Sequence, residues 1–244
     1  TFLSLDNWQR GKDENEYLLS WRCHPLRDRE GRVTGAVLSA RDVTAQRKTE
    51  DGLRASEARL RSANRALVTI SECNQVLVRA LDETELIQGI CRAIVDSGGY
   101  VMAWVGYASD DEAGAIRPVA WAGESAQDGR PGGDVWGRMD DEKSPVGRSL
   151  REQQAVFVRD VALEPAYTPW RDEEFVRRHA CAISLPLITD GRSFGVLSIY
   201  ADRASSFDVD AVNLLTGLAN DLAYGISALR TRAELEQAME TTEM

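Results

Sequence analysis

The apolar positions change period along the chain. Residues 17 to 26 (YLLSWRCHPL) and 33 to 40 (VTGAVLSA) are dense in β-forming side chains, and the polar stretch between them ends near Gly31. That arrangement predicts a hairpin. Two or three strands bury too little surface to stand alone, so the rest of this first block is expected upstream of Thr1. At Asp42-Val43-Thr44 the pattern turns helical. Gln46 to Leu81 holds no proline and one glycine, Gly52. Leu53, Leu60, Leu67 and Asn74 fall seven residues apart, with Ser56, Ala63, Ile70 and Leu77 at the alternate positions. A continuous helix here would be about 50 Å long at 1.5 Å per residue. Two readings of the ladder stay open. It is the seam of a parallel dimer, with Asn74 fixing the register, or it is an amphipathic helix packed on its own domain.

Downstream, Asp82 with Glu85 forms a capping box. The helix it opens carries Leu86, Ile87, Ile90, Cys91, Ile94 and Val95 on one face and stops at Ser97-Gly98-Gly99. YVMAWVGYA (100 to 108) and AIRPVAWAG (115 to 123) read as an antiparallel pair, and residues 124 to 143 as a long polar excursion. Ser144-Pro145 starts a short helix. AVFVRDV (155 to 161) is a strand, residues 164 to 172 are a proline-punctuated loop, and residues 172 to 179 are a short helix. Asp190-Gly191 marks a hairpin, with Pro186 arguing for an edge or bulged position in its first strand. Ser206 opens a last helix, in which Leu215, Leu218, Leu222, Gly225 and Leu229 recur at three-four spacing. Antiparallel strands with helices gathered at both ends define an α+β fold, an antiparallel sheet with helices packed on one face.

Charge and composition narrow the function. The formal net charge is −10 and the isoelectric point is near 4.9, which disfavours nucleic acid as a partner. No apolar run is long enough to span a bilayer and no signal peptide is present, so the segment is expected to be cytoplasmic and to make no membrane contact itself. Cys23, Cys73, Cys91 and Cys181 form no CxxC pair, which suits reduced thiols. The chain starts at Thr1 and its last residues still follow a helical pattern, so it reads as a piece of a longer protein.

These residues carry a resemblance. LLSWRCHPLRDREGRVTGAVLSARDVTAQRKTE resembles the C-terminal strands of a PAS domain, with its polar D-x-x-G turn and the closing Asp42-Val43-Thr44. Residues 64 to 231 resemble a GAF domain over nearly their whole length. VMAWVGYA, IRPVAWAG, SPVGRSLREQQAVFVRDV, EPAYTPWR and ISLPLITDGRSFGVLSIYA match its usual run. The expected organisation is a PAS end over residues 1–45, a signalling helix over 46–66, a GAF domain over 67–231, and the start of an exit helix over 232–244. The resemblance implies a sensory segment of a bacterial signalling protein. Its effector would be a histidine kinase or an enzyme that makes or degrades cyclic di-GMP, carried elsewhere in the same chain.

Candidate site residues follow. Trp104, Trp121, Trp136, Tyr167 and Trp170 either line a pocket between the sheet and its covering loops or are core and lid packing. Arg171 either pairs with an anionic ligand group or joins the solvated charges of Asp172 and Glu173. Cys181 is positioned to line the same pocket, but lacks the neighbours of a bilin-attachment cysteine and reads as a small buried residue. The N-K-x-F-D-E run of cyclic-nucleotide-binding GAF domains is missing. His179 reads as a solvent-facing or helix-terminal histidine. No catalytic constellation or metal spacing stands out, and the sequence names no cofactor. The dimer helix residues are Leu53, Leu60, Leu67, Ile70, Asn74, Leu222 and Leu229. The expected module is a parallel homodimer that passes a change dependent on an unidentified small-molecule ligand or on redox state through paired helices to a downstream effector, a histidine kinase in the preferred reading. The alternatives are a ligand-free dimerisation spacer and, less in keeping with the residues, an enzyme.

Overall fold

The computed structural model describes residues 3–109, 114–123, 144–164, 179–203 and 206–242. The chain packs as two units that meet within one helix, at residues 58 and 59.

The first unit is an antiparallel sheet of order β1-β2-β3, built from β1 (Leu3–Arg10), β2 (Glu16–Arg27) and β3 (Val33–Asp42). β2 and β3 are the hairpin expected from the sequence. β1 was not expected, because its LSLDNWQR mixes polar and apolar residues too evenly to signal a strand. Its register against β2 puts Leu5 opposite Trp21 and Trp8 opposite Leu18. The Asp42-Val43-Thr44 motif has a clear local role. The Thr44 hydroxyl donates to Asp42 Oδ1 (2.6 Å) and accepts from the Leu18 amide (2.7 Å). The Val43 amide donates to the Leu18 carbonyl. One threonine, the first residue of helix α1 (Thr44–Arg79), therefore ties the end of β3 to β2.

The second unit centres on a five-stranded antiparallel sheet of order β5-β4-β8-β7-β6. Its strands are β4 (Met102–Ala108), β5 (Ile116–Gly123), β6 (Val156–Val158), β7 (Cys181–Thr189) and β8 (Arg192–Ala201). Helices α2 (Glu83–Asp96) and α4 (Val209–Thr242), with the later part of α1, cover one face. The short α3 (Pro145–Glu152) lies on the other. The central strand β8 is buried on both faces from Gly195 to Ala201, which is why GVLSIYA reads as a continuous apolar run.

The caps behave as expected. Asp82 Oδ1 accepts from the Glu85 amide, and Glu85 reaches back to the Leu81 amide. Ser144 caps α3, with Pro145 in its first turn. Asp190 and Gly191 both take positive φ in the two-residue turn joining β7 to β8. Pro186 pairs with Val196 of β8, beyond the short stretch of β7 that pairs with β6 and one residue before a register shift at Leu187/Ile188. One expectation is corrected: Ser206 does not open the last helix. Asp208 caps it, accepting from the Ala211 amide at 2.9 Å. Ser206 instead receives the Ser62 hydroxyl on its carbonyl and Arg65 on its own hydroxyl, so it helps dock α1.

Gly123 ends β5 at φ +117, where a Cβ would come within 2.9 Å of the Met102 Cα. Both the dihedral and the close approach require glycine. Gly123→Ala should therefore lower unfolding stability by about 1–3 kcal/mol. Chemical denaturation checks this, and an unchanged midpoint would refute it.

Candidate functional site

The two faces of the five-stranded sheet carry different chemistry. On the helix face, Ala103 and Val105 of β4, Cys181, Ile183, Leu185 and Leu187 of β7, and Leu197 and Ile199 of β8 form one apolar core with α2 and α4. On the opposite face lie Met102 and Trp104, Ser184, and Ser198 and Tyr200, backed by Val146 and Leu150 of α3. This second face is where buried polar groups collect. Ser184 and Ser198 are paired across the strands with hydroxyls 3.1 Å apart. The Ser149 hydroxyl reaches the Ser184 carbonyl (3.0 Å) and the Gln154 carbonyl (2.8 Å). His179 stands edge-on to Tyr200, with ring centroids 5.5 Å apart. Contrary to the expectation of a solvent-facing histidine, His179 is 2% exposed. Its position before a buried strand, not its flanking charges, decides this.

Trp104 and Trp121 sit directly opposite each other on β4 and β5. Trp104 is buried and Trp121 half-buried against the same cluster. Both expected pocket tryptophans therefore belong to the polar-aromatic face. Trp136, Tyr167, Trp170 and Arg171 lie outside the described residues, as do the excursion over 124 to 143 and the loop and short helix expected between 165 and 178. Cys181 is a correction. It lies on the helix face, so the sheet separates it from Trp104, and it cannot line the same pocket. Its thiol donates to the Arg203 carbonyl at 3.0 Å. Burial, with help from nearby Asp202, pushes it up to about 12. Burial likewise pushes Cys73 up to about 12 and Cys91 higher still. A thiol so far from ionisation is a poor nucleophile at neutral pH. Among the described residues, no group of His, Cys, Asp and Glu has metal-binding spacing, and no helix is long and apolar enough to cross a membrane.

The proposed dimer residues divide. Leu53, Leu60 and Leu67 are 61%, 68% and 54% exposed, and Asn74 is exposed as well. Ser62, Ala66, Thr69 and Cys73, on the other side of α1, are buried. Leu222 is fully buried in the core of its own domain and is withdrawn from the seam. Ile70 and Leu229 are partly buried against that same core, which takes up their apolar surface. The alternate ladder thus turns inward, because an unsupercoiled helix drifts about 20° per heptad from a strict seven-residue repeat.

With this geometry in place, the comparisons assign the class. The sequence pattern of the GAF domain matches residues 80–227, and the chain belongs to the GAF domain family. Residues 4–48 match a PAS fold. No curated protein matches the chain. Among solved structures, the free methionine-R-sulfoxide reductase of Neisseria meningitidis, in complex with its substrate, aligns with a TM-score of 0.57 at 17% identity, over 70% of this chain and 93% of that one. The GAF domain of a phosphoenolpyruvate-protein phosphotransferase from Coxiella burnetii aligns with a TM-score of 0.55 at 17% identity, over 70% and 98%. A methyl-accepting chemotaxis protein fragment aligns with a TM-score of 0.51 at 18% identity, over 65% and 97%. At such identities the likeness concerns the fold alone. GAF and PAS domains together make this a sensory segment of the kind found in signalling proteins.

Thiol accessibility tests the placement of the cysteines. In the native chain a small alkylating reagent should modify Cys23, which is partly exposed, and leave Cys73, Cys91 and Cys181 until the protein is unfolded. Peptide mass mapping gives the answer. Rapid native labelling of Cys181 would contradict its burial.

Proposed function

We propose that this chain is a cytoplasmic, non-catalytic input module of a bacterial signalling protein, working as a parallel homodimer. It passes a ligand-dependent change along α1 and α4 to an effector domain in the same polypeptide, a histidine kinase in the preferred reading. The observation that carries the proposal is the stripe of Leu53, Leu60 and Leu67. Three leucines at heptad spacing stand exposed on the side of α1 away from the packed face. Isolated exposed leucines are ordinary, but a seven-residue row of them matches the seam of a two-stranded coiled coil. Asn74 continues the row, where a buried asparagine would select a parallel, in-register pair.

In this reading the small-molecule ligand is recognised from the polar-aromatic face, where Trp104, Tyr200 and the Ser184–Ser198 pair lie together. The three cysteines of the second unit support a non-enzymatic role. All lie in the helix-side core with thiols pushed far above neutral pH, so reductase chemistry of the kind named for some structural neighbours finds no ready thiolate here. Input to a cyclic di-GMP enzyme is the alternative effector assignment. A ligand-free spacer is the alternative role, and it would share the same dimer seam.

Sedimentation analysis of Leu60→Asp with Leu67→Asp tests the seam. The native chain should sediment as a dimer and the double variant as a monomer with unchanged circular dichroism. Two buried carboxylates facing each other across a seam cost several kcal/mol. A double variant that still dimerises would remove the α1 seam from the account.

A further inference from the structure

Among the described residues, the last point at which α4 is held by the domain is a clamp built from four elements. Arg230 of α4 makes two bonds of 2.7 Å to the two carboxylate oxygens of Glu83, in the first turn of α2. The Tyr107 hydroxyl of β4 donates to the same carboxylate at 2.5 Å. The Arg230 guanidinium also stacks over the rings of Tyr107 (4.8 Å) and of Phe194 on β8 (5.2 Å). Bidentate pairing and ring stacking both suit arginine and not lysine. Beyond Arg230, residues 231 to 239 of α4 are all exposed. The clamp therefore fixes where the helix leaves the domain.

The clamp is joined to the opposite face of the sheet by an unusually close backbone passage. A Cβ on Gly106 would come within 2.6 Å of Trp104 Cζ3, so the indole ring rests against that glycine. A register shift against β5 falls at this same point, between Val105 and Gly106. The next residue is Tyr107, whose ring lies over Gly195, where a Cβ would come within 2.8 Å of Tyr107 Cδ1. The indole thus lies against Gly106 on one face of the sheet, and Tyr107, bonded directly to Gly106, lays its ring against Gly195 on the other.

We infer that Trp104, Gly106 and Tyr107 form a mechanical relay by which a change on the polar-aromatic face loosens or tightens the Glu83–Arg230 clamp and so resets the exit of α4. As an output route the relay rests on the sensory reading above, but its existence does not depend on any ligand. Displacing the Trp104 ring shifts the one backbone segment that positions Tyr107. Tyr107 in turn supplies both the hydrogen bond that orients the Glu83 carboxylate and part of the surface on which Arg230 stacks. The electrostatics agree with a tight clamp. Although burial opposes ionisation, the Arg230 and Tyr107 hydrogen bonds hold the Glu83 carboxyl below the ordinary glutamate range.

A mutant cycle read by hydrogen exchange tests the relay. The amides of residues 230 to 238 are followed in the native chain, Trp104→Phe, Tyr107→Phe and the double variant, with the β7 amides reporting that the core is intact. Tyr107→Phe alone should raise exchange of the α4 amides by about tenfold through loss of one charge-assisted bond. Trp104→Phe should raise it in the native background and add little once Tyr107 is phenylalanine. An equal effect of Trp104→Phe in both backgrounds, or no effect in either, overturns the relay. Unchanged exchange in Tyr107→Phe overturns the clamp. Should Trp104→Phe fail to fold, Gly106→Ala disturbs the same contact from the other side and completes the cycle. A chain that passes this test and yet proves monomeric in sedimentation would retain the relay and lose the dimer.

Discussion

Everything in the second unit depends on β8 and its neighbours being buried on both faces. A sheet covered on one side needs one core; this one needs two, and the sequence divides them by strict alternation. Leu197 and Ile199 point to the helices, while Val196, Ser198 and Tyr200 point away. The helix-side core is almost wholly apolar, which is what a core that only has to hold the domain together requires. The other carries serines, a histidine and two tryptophans. Buried polar groups cost free energy unless paired, and here the Ser184–Ser198 bond and the Ser149 hydroxyl offset part of that cost. A face that accepts such groups, where leucine would pack as well, is where the proposed ligand would be recognised.

The helices then divide their labour. α1 uses one side to dock on the domain through Ala66, Thr69 and Cys73 and leaves a row of leucines on the other. Gly98 is required beneath it, since a Cβ there would collide with Thr69 and with the Ile94 carbonyl. α4 is core-forming up to Ile226 and exposed after Arg230. Between these segments sits Arg230, paired twice to a carboxylate and stacked on two rings. A helix bound firmly along part of its length and free beyond a defined point suits transmission, because a small change at the last contact alters the direction of all that follows.

Much of this was legible in the sequence. Caps at Asp82 and Ser144, the turn at Asp190-Gly191 and the end of α2 at Ser97-Gly98 are local signals, and local chemistry fixes them. The heptad of Leu53, Leu60 and Leu67 was visible for the same reason. What escaped was what needs register. Trp104 and Cys181 both read as apolar strand residues, and only the pairing of β4 with β8 and of β8 with β7 shows that they point to opposite faces. Leu222 and Ile70 had the right spacing for a seam but the wrong azimuth, which tertiary packing sets. The Glu83–Arg230 pair joins residues 147 apart in sequence, a distance over which no spacing rule operates. β1 was hidden by its even mixture of polar and apolar side chains, and the displacement of the α4 cap from Ser206 to Asp208 reflects a serine recruited to hold α1.

The central claim is that two copies of α1 run side by side, parallel and in register. Disulfide trapping tests it most directly, in a chain with Cys23→Ser and either Leu60→Cys or Leu67→Cys. A parallel seam brings each introduced cysteine beside its own copy, so mild oxidation should give a cross-linked dimer at both positions and far less with Arg61→Cys, which lies off the stripe. Trapping at neither leucine position, or at only one of the two as an antiparallel pair would give, would contradict the account.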